Sequence, residues 1–254
     1  MSVLSTLRNI IPERSPIRLT YHKFSAMLAA VWYRFPSHRL HVIAVTGTSG
    51  KSSTVEMIQS LLQACGRDAG SLSTIQFHIK DQIFHNESLR TSLRPNETHK
   101  MLKKMRSAGC KYAVVEISSH ALDQNRMWGV AVDTAILTNI SNNEHLDYHK
   151  TFDDYIRTKK KLFQNLNSQY RKPGIDKTII LNADDENLEY FQESSADKKW
   201  TYARRKNGNV KASNIEINLE VKAKENGSIG DTIRVENPIT KKRTIVMSAK
   251  TNRT

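Results

Sequence analysis

Several residues in this chain have the types and spacing to do chemistry. Gly47, Thr48, Ser49, Gly50, Lys51, Ser52 and Ser53 join an apolar, β-branched run to a helical pattern. Glycines let the main chain approach phosphate oxygens, and a helix start offers unpaired N–H groups with a partial positive charge. Lys51 can reach the outer phosphates of a nucleotide, and the Ser52 hydroxyl can hold Mg²⁺. The general spacing G-x-x-x-x-G-K-[ST] wants glycine at position 45, where Val45 stands, so this is a shortened form starting at Gly47. ATP or GTP is the expected ligand; an accidental Gly-Lys-Ser surface turn is the bland alternative. Glu116 ends a second apolar run, YAVVE, where a carboxylate suits Mg²⁺, a hard cation. A structural glutamate at a strand end fits that position equally well. His145, taken alone, reads as a satisfied core or surface histidine, and Lys159 as one member of a solvated basic run, Lys159, Lys160 and Lys161.

These residues need elements to position them. The run His41–Thr46 reads as a buried strand, and Val55, Ile58, Leu61 and Leu62 fall at helical spacing over 52–64, with Gly66 as the stop. Further strands are predicted at 71–75, 112–117, 134–140 and 177–182. Helices are predicted at 95–108, 152–166 and 186–191. Strands alternating with helices mean parallel βαβ units, in which ligands bind beyond the carboxyl ends of the strands. The expected fold is therefore α/β: a P-loop-type, mostly parallel sheet flanked by helices. Short alternating stretches over 211–250 add a small antiparallel β appendage near the C-terminus. Residues 1–40 read as an N-terminal helical segment, and 41–254 as the main domain.

Composition bounds the partners. The 254 residues carry a net charge of +14, which favours anionic ligands without choosing among them. Cys65 and Cys110 cannot build a disulfide framework, which makes a cytoplasmic setting the default. No stretch reaches the ~18–20 apolar residues that cross a bilayer. The nearest, 24–33 (FSAMLAAVWY), reads as an amphipathic helix capping the domain. A helix lying on a membrane surface, flanked by His22, Lys23 and Arg34, is the alternative. The basic residues are dispersed, with no nucleic-acid-binding signature.

The segment 45–54, VTGTSGKSST, resembles the ATP loop of the Mur ligase family, TGTNGKTT. The segment 116–126, EISSHALDQNR, is similar to the EVSSHAL-x-Q-x-R of the UDP-N-acetylmuramoyl-tripeptide synthetases within that family. Thr138 and Asn139, then HLDYH at 145–149, then Tyr155, Lys159, Leu162 and Phe163 follow the family's TNL, DHLDYH and Y-x-x-AK-x-x-LF. NADD at 182–185 is a weaker match. Together the matches run in order over about 41–185.

The resemblance implies the central ATP-binding domain of an ATP-dependent, amide-forming ligase of peptidoglycan precursor synthesis. Its substrates would be a UDP-N-acetylmuramoyl-peptide and an amino acid, and its cofactors ATP and Mg²⁺. It implies ATP contacts at 47–53 and at Asn139, on the adenine side. Metal ligation would fall to Ser52, Glu116, His145 and Lys159, the last as a carbamate. Lys51, Lys159 and His145 would carry catalysis. Ser118, Gln124 and Arg126 would hold the UDP-muramoyl-peptide, with Thr91 and Ser92 where the family has Thr-Thr-Pro. Here Pro95 is displaced by two, and one extra residue separates Asn139 from His145, in the stretch holding Asn142 and Asn143. The family's N-terminal UDP-gripping domain and its C-terminal domain are not evident, so the chain is expected to be incomplete as a ligase; a second chain could supply the latter. The competing expectations are a folylpolyglutamate synthetase-like ligase and a non-catalytic, basic nucleotide- or nucleic-acid-binding module.

Overall fold

The computed structural model describes residues 12–86, 90–141 and 148–211, and the backbone of two further strands within 232–247. The chain divides into two units, Met1–Ala212 and Ser213–Thr254. The first runs through α1 (Pro16–Trp32), a 3-10 turn (Pro36–Arg39), β1 (His41–Thr46), α2 (Lys51–Ala64), β2 (Ala69–Leu72), β3 (Gln76–Ile79) and β4 (Gln82–His85). It continues through α3 (Pro95–Ser107), β5 (Tyr112–Glu116), α4 (Ser119–Asp123), β6 (Thr134–Leu137), α5 (Phe152–Gln164), β7 (Thr178–Asn182), α6 (Glu189–Gln192), β8 (Lys198–Ala203) and β9 (Val210–Lys211).

The strands form one sheet in the order β4-β3-β2-β5-β1-β6-β7-β8-β9. All neighbours pair in parallel except at one edge, where β2–β3 and β3–β4 are both antiparallel. The main core lies on one face, where Val42, Ala44, Val115 and Leu137 meet Leu102 and Met105 of α3 and Tyr155, Leu162 and Phe163 of α5. Val45, Val114 and Ile136 pack on the other face, against Val55, Ile58 and Leu62 of α2. Strands buried on both faces read as continuous apolar runs, which is why β1 and β5 are visible without alternation.

α5 starts at Thr151, whose hydroxyl accepts from the Asp154 N–H at 3.2 Å, with Asp153 and Asp154 in the first turn facing the helix's positive end. Its buried face carries Tyr155, Ile156, Thr158, Lys159, Leu162 and Phe163. Lys159 is thus on the inner side of its helix, separated from the basic run in which it sits.

Some elements differ from the sequence expectation. The strand expected at 71–75 is Ala69–Leu72, and the chain then turns into the β3–β4 hairpin. The strand β8, next to last in the sheet order, and the short helix α4 were not expected. The N-terminal helix packs its alanines inward: Ala26, Ala29 and Ala30 are buried, and its large apolar residues are exposed. No helix among the described residues is long and apolar enough to cross a membrane.

In the second unit, β10 (Thr232–Glu236) and β11 (Arg243–Met247) pair antiparallel, with Thr232 opposite Met247. The alternating stretch expected at 212–221 lies outside the described residues.

Candidate active site

Parallel pairing gathers the site at the carboxyl ends of the central strands β5, β1 and β6. Val45 of β1 is level with Glu116 of β5, and Thr46 with Leu137 of β6. The segments that follow these strands therefore emerge side by side: 47–53 after β1, 117–126 after β5, and Thr138 and Asn139 after β6.

The loop after β1 is held from both sides. Thr48 N–H donates to the Asn139 carbonyl at 2.8 Å. The Asn139 side chain grips Ser49 twice, accepting from its N–H at 3.0 Å and donating to its carbonyl at 2.9 Å. Thr138 Oγ1 donates to the same carbonyl at 2.8 Å. At Gly47, with φ +150°, a Cβ would stand 1.9 Å from Thr138 Oγ1, so only glycine fits. Gly50, at φ +77°, opens α2 with no side-chain cap. The first N–H groups of α2 are left to whatever anion approaches. Lys51 Nζ donates to the Thr48 carbonyl at 2.6 Å, folding over the loop it would serve.

In the first turn of α2, the Ser52 hydroxyl donates to Glu116 Oε2 at 2.9 Å. The same oxygen accepts from the Thr74 N–H at 2.8 Å and from the Thr74 hydroxyl at 3.0 Å. Among the described residues no hydrogen bond reaches Oε1, so all three contacts fall on one carboxylate oxygen and the other is available. A hydroxyl and a carboxylate are the hard oxygen donors that Mg²⁺ takes alongside phosphates. The described residues contain no cluster of three or more acidic, histidine or cysteine side chains placed to bind a metal by themselves.

Thr74 was not singled out from the sequence, and neither was the network behind it. Ser73 Oγ donates to Glu56 Oε1 at 3.0 Å, and the other Glu56 oxygen meets Gln76 Nε2 at 2.9 Å and His78 Nε2 at 2.8 Å. Burial opposes the charge on Glu56, but hydrogen bonds from His78, Gln76 and Ser73 outweigh it and hold its pKa below the ordinary value. The network fixes the turn that aims Thr74. Its residues lie on a helix, a turn and β3 of the hairpin, with no local spacing to reveal them.

Lys159 is 1% exposed and lies beneath the phosphate loop. Its Nζ donates to the Gly47 carbonyl at 2.7 Å and stands 4.6 Å from the centre of the Tyr155 ring. The Tyr155 hydroxyl in turn meets Thr48 Oγ1 at 3.1 Å. His145, with Asn142 and Asn143, lies outside the described residues.

The substrate-side residues gather after β5. Ser92 Oγ donates to the Glu116 carbonyl at 3.3 Å and accepts from the Ser118 N–H at 2.9 Å. Thr91 and Ser92 line a small cavity with Glu116 and Ser73. Ser118 Oγ caps α4 by accepting from the Ala121 N–H at 3.2 Å. Gln124 is buried; its Nε2 donates to the Tyr148 hydroxyl at 3.2 Å and its Oε1 accepts from Arg126 Nε at 2.7 Å. Burial first, and then the charge of Arg90, push the Arg126 pKa below its ordinary value. The charge of Arg90 adds to that of Arg126 and favours an anion beside Arg126.

The Mur ligase middle domain, as a family model, matches residues 45–242. The chain belongs to this family. It is 35% identical over 197 residues to the UDP-N-acetylmuramoyl-L-alanyl-D-glutamate–2,6-diaminopimelate ligase of Bacillus velezensis, a match covering 77% of this chain and 39% of that protein. It is also 35% identical over 198 residues to the UDP-N-acetylmuramyl-tripeptide synthetase of Roseiflexus sp., covering 75% and 38%. The chain thus spans under two fifths of the length of these Mur ligases. A solved diaminopimelate ligase structure superposes with a TM-score of 0.57 at 25% identity, over 82% of this chain and 39% of that one. The Mycobacterium tuberculosis folylpolyglutamate synthase complexed with ADP and AMPPCP superposes at 0.55 and 16% identity, over 86% and 51%, a likeness of fold. The α/β class and the Mur ligase resemblance read from the sequence both hold.

Proposed function

We propose that this chain is the ATP-binding domain of a ligase that extends a UDP-N-acetylmuramoyl-peptide by one amino acid. The observation that carries the reading is the Ser52–Glu116 contact beside an uncapped, glycine-opened helix start. N–H groups at 47–53 and the Lys51 ammonium bind the ATP phosphates, and Asn139 holds the loop in shape from the adenine side. Ser52, Glu116 and His145 hold Mg²⁺, which neutralises charge on the phosphates when bound. The domain is 41–254, led by the helical segment 1–40 and carrying the β appendage at 211–250.

The reaction has two steps. A carboxylate oxygen of the muramoyl-peptide attacks the γ-phosphorus of ATP, and ADP leaves. The amine of the amino acid then attacks the acyl carbon, phosphate leaves, and the amine gives up a proton to form the amide. Lys51 and the start of α2 stabilise charge on the transferring phosphoryl group, and positioning supplies much of the remainder. Arg126, held by Gln124, meets the carboxylate or pyrophosphate of the nucleotide peptide, with Ser118, Thr91 and Ser92 alongside. Lys159 acts as a carbamate, formed when its neutral amine adds CO₂. One proton is released in that addition and Nζ keeps one N–H, which can go on donating to the Gly47 carbonyl, while the new carboxylate oxygens add acceptors where there was a cation. The setting is the cytoplasm, where nucleotide substrates and free thiols are kept.

A folylpolyglutamate synthetase-like substrate is the rival within the same fold. Binding of a UDP-N-acetylmuramoyl-dipeptide and of a dihydropteroate, each with a non-hydrolysable ATP analogue and Mg²⁺, separates them. Saturable binding of the muramoyl compound, lost in Arg126→Ala, is expected. Preference for the pterin would overturn the substrate assignment. Uptake of random DNA with no response to ATP would favour a nucleic-acid module instead.

A further inference from the structure

α1 carries an apolar stripe that faces away from the body of the protein. Ile17, Tyr21, Phe24, Leu28 and Val31 recur every three or four residues, the spacing of one helix face, and all are exposed. Met27 and Trp32 widen the stripe, and Trp32 is 80% exposed. Among the described residues nothing covers it. The orientation is fixed: Ala26, Ala29 and Ala30 are buried on the opposite side, and Ser15 caps the helix start. Just upstream, Arg14 pairs with Asp123 at 2.9 Å and with Asp154.

The surroundings are basic. Beyond Trp32, one surface depression is lined by Trp32, Tyr33, Arg34, Lys103, Arg106 and Ser107. A second, adjoining one adds Arg39 and His38. No carboxylate lines either depression, and residues 16–32 contain no Asp or Glu. A contiguous apolar and aromatic face of this kind marks an interaction site. Its charge decides the partner: a second copy would bring another +14 chain against the same arginines, whereas an anionic surface neutralises them.

We propose that α1 docks this protein on an anionic lipid bilayer. Tyr21, Phe24, Leu28, Val31 and Trp32 enter the headgroup–acyl boundary, and Arg34, Arg39, Lys103 and Arg106 meet lipid phosphates. After α1 the chain runs through residues 33–40, which carry Arg34 and Arg39, into the first residue of β1, and the phosphate loop follows the last. β1, about 20 Å long, stands between that segment and the phosphate loop, so the two sites share no residue.

Flotation of the full chain with phosphatidylcholine vesicles containing about 30% phosphatidylglycerol tests this, with pure phosphatidylcholine vesicles alongside. The triple variant Phe24→Gln, Leu28→Gln, Trp32→Gln keeps the net charge and alters only exposed positions, so its melting temperature is expected to stay near that of the parent. The parent should float with anionic vesicles and be released by about 0.5 M salt. The triple variant should bind about tenfold less or weaker still. Equal binding by the triple variant would mean that charge alone holds the chain, and would overturn the proposal. So would failure of the parent to float, or a parent dimer in size-exclusion chromatography that the triple variant converts to monomer.

Discussion

Ser52 and Glu116, 64 positions apart, meet through a hydroxyl-to-carboxylate hydrogen bond of 2.9 Å. The contact exists because β1 and β5 are parallel neighbours in a register that ends both beside the same loop. A turn after β2 completes it, through Thr74.

Glu116→Gln should therefore remove the gain in ATP affinity that Mg²⁺ confers, while leaving metal-free ADP binding largely intact. Thr74→Val deletes one donor to the same carboxylate oxygen, and should weaken the Mg²⁺-dependent part by about tenfold. Titrating nucleotide with and without Mg²⁺ reads both. A Glu116→Gln chain that keeps the full response to Mg²⁺ would remove Glu116 from the metal site.

Gly47→Ala is expected to damage the loop and the fold together. The added methyl would collide with Thr138 Oγ1, which itself holds the Ser49 carbonyl. A cost of about 1–3 kcal/mol follows from such overpacking, and with it a melting point lower by roughly 2–4 °C per kcal/mol. Thermal melts with and without nucleotide check this, and the nucleotide-induced rise should disappear.

Below β6, Asp133 accepts from two buried lysines, Lys172 and, at 3.2 Å, Lys177. Burial pushes the Lys172 pKa down to about 8 against the pull of Asp133. Since the unfolded chain holds this proton up to about pH 10.5, stability from this group is lowest below pH 8 and rises between pH 8 and 10.5. Asp133→Asn strands two ammoniums and should cost about 3–5 kcal/mol at neutral pH, measured by urea unfolding. The loss should shrink as the medium becomes alkaline.

His149 sets an acid limit. It is fully buried among Tyr148, His120 and Tyr155, and burial drives its pKa down to about 4, with Asp154 pulling the other way and His120 and Arg14 adding to the fall. The folded protein thus refuses a proton that the unfolded chain accepts. Its contribution is intact above about pH 6.5 and is lost as pH falls toward 4. His149→Phe should flatten this limb of the stability profile, whatever it costs at neutral pH.

Much of this site was legible because local order and chemistry coincide along the chain. The phosphate loop is contiguous and its strand is buried on both faces, so glycine, lysine and an apolar run suffice to read it. Glu116 and Lys159 needed the spacing of their neighbours, since a lone carboxylate or a lysine within Lys159, Lys160 and Lys161 says little. Thr74 and Glu56 were hidden because their roles arise across the sheet. The β3–β4 hairpin turns at Lys80 and Asp81 with no Asn-Gly or Asp-Gly signal, and β8 opens on two lysines at the open side of the sheet. In α1 the large residues suggested a helix packed by them, but the alanine side allows the closer approach to the body, and the aromatic side is left outward.

Isothermal titration calorimetry of the purified chain with ATP, in the presence and absence of Mg²⁺, measures the nucleotide site most directly. We expect single-site binding that tightens with Mg²⁺ and is abolished in Lys51→Ala, while the variant melts as the parent does. No heat of binding with abundant Mg²⁺, or equal binding by Lys51→Ala, would contradict a phosphate site at 47–53 and with it the assignment of this chain as a ligase's nucleotide domain.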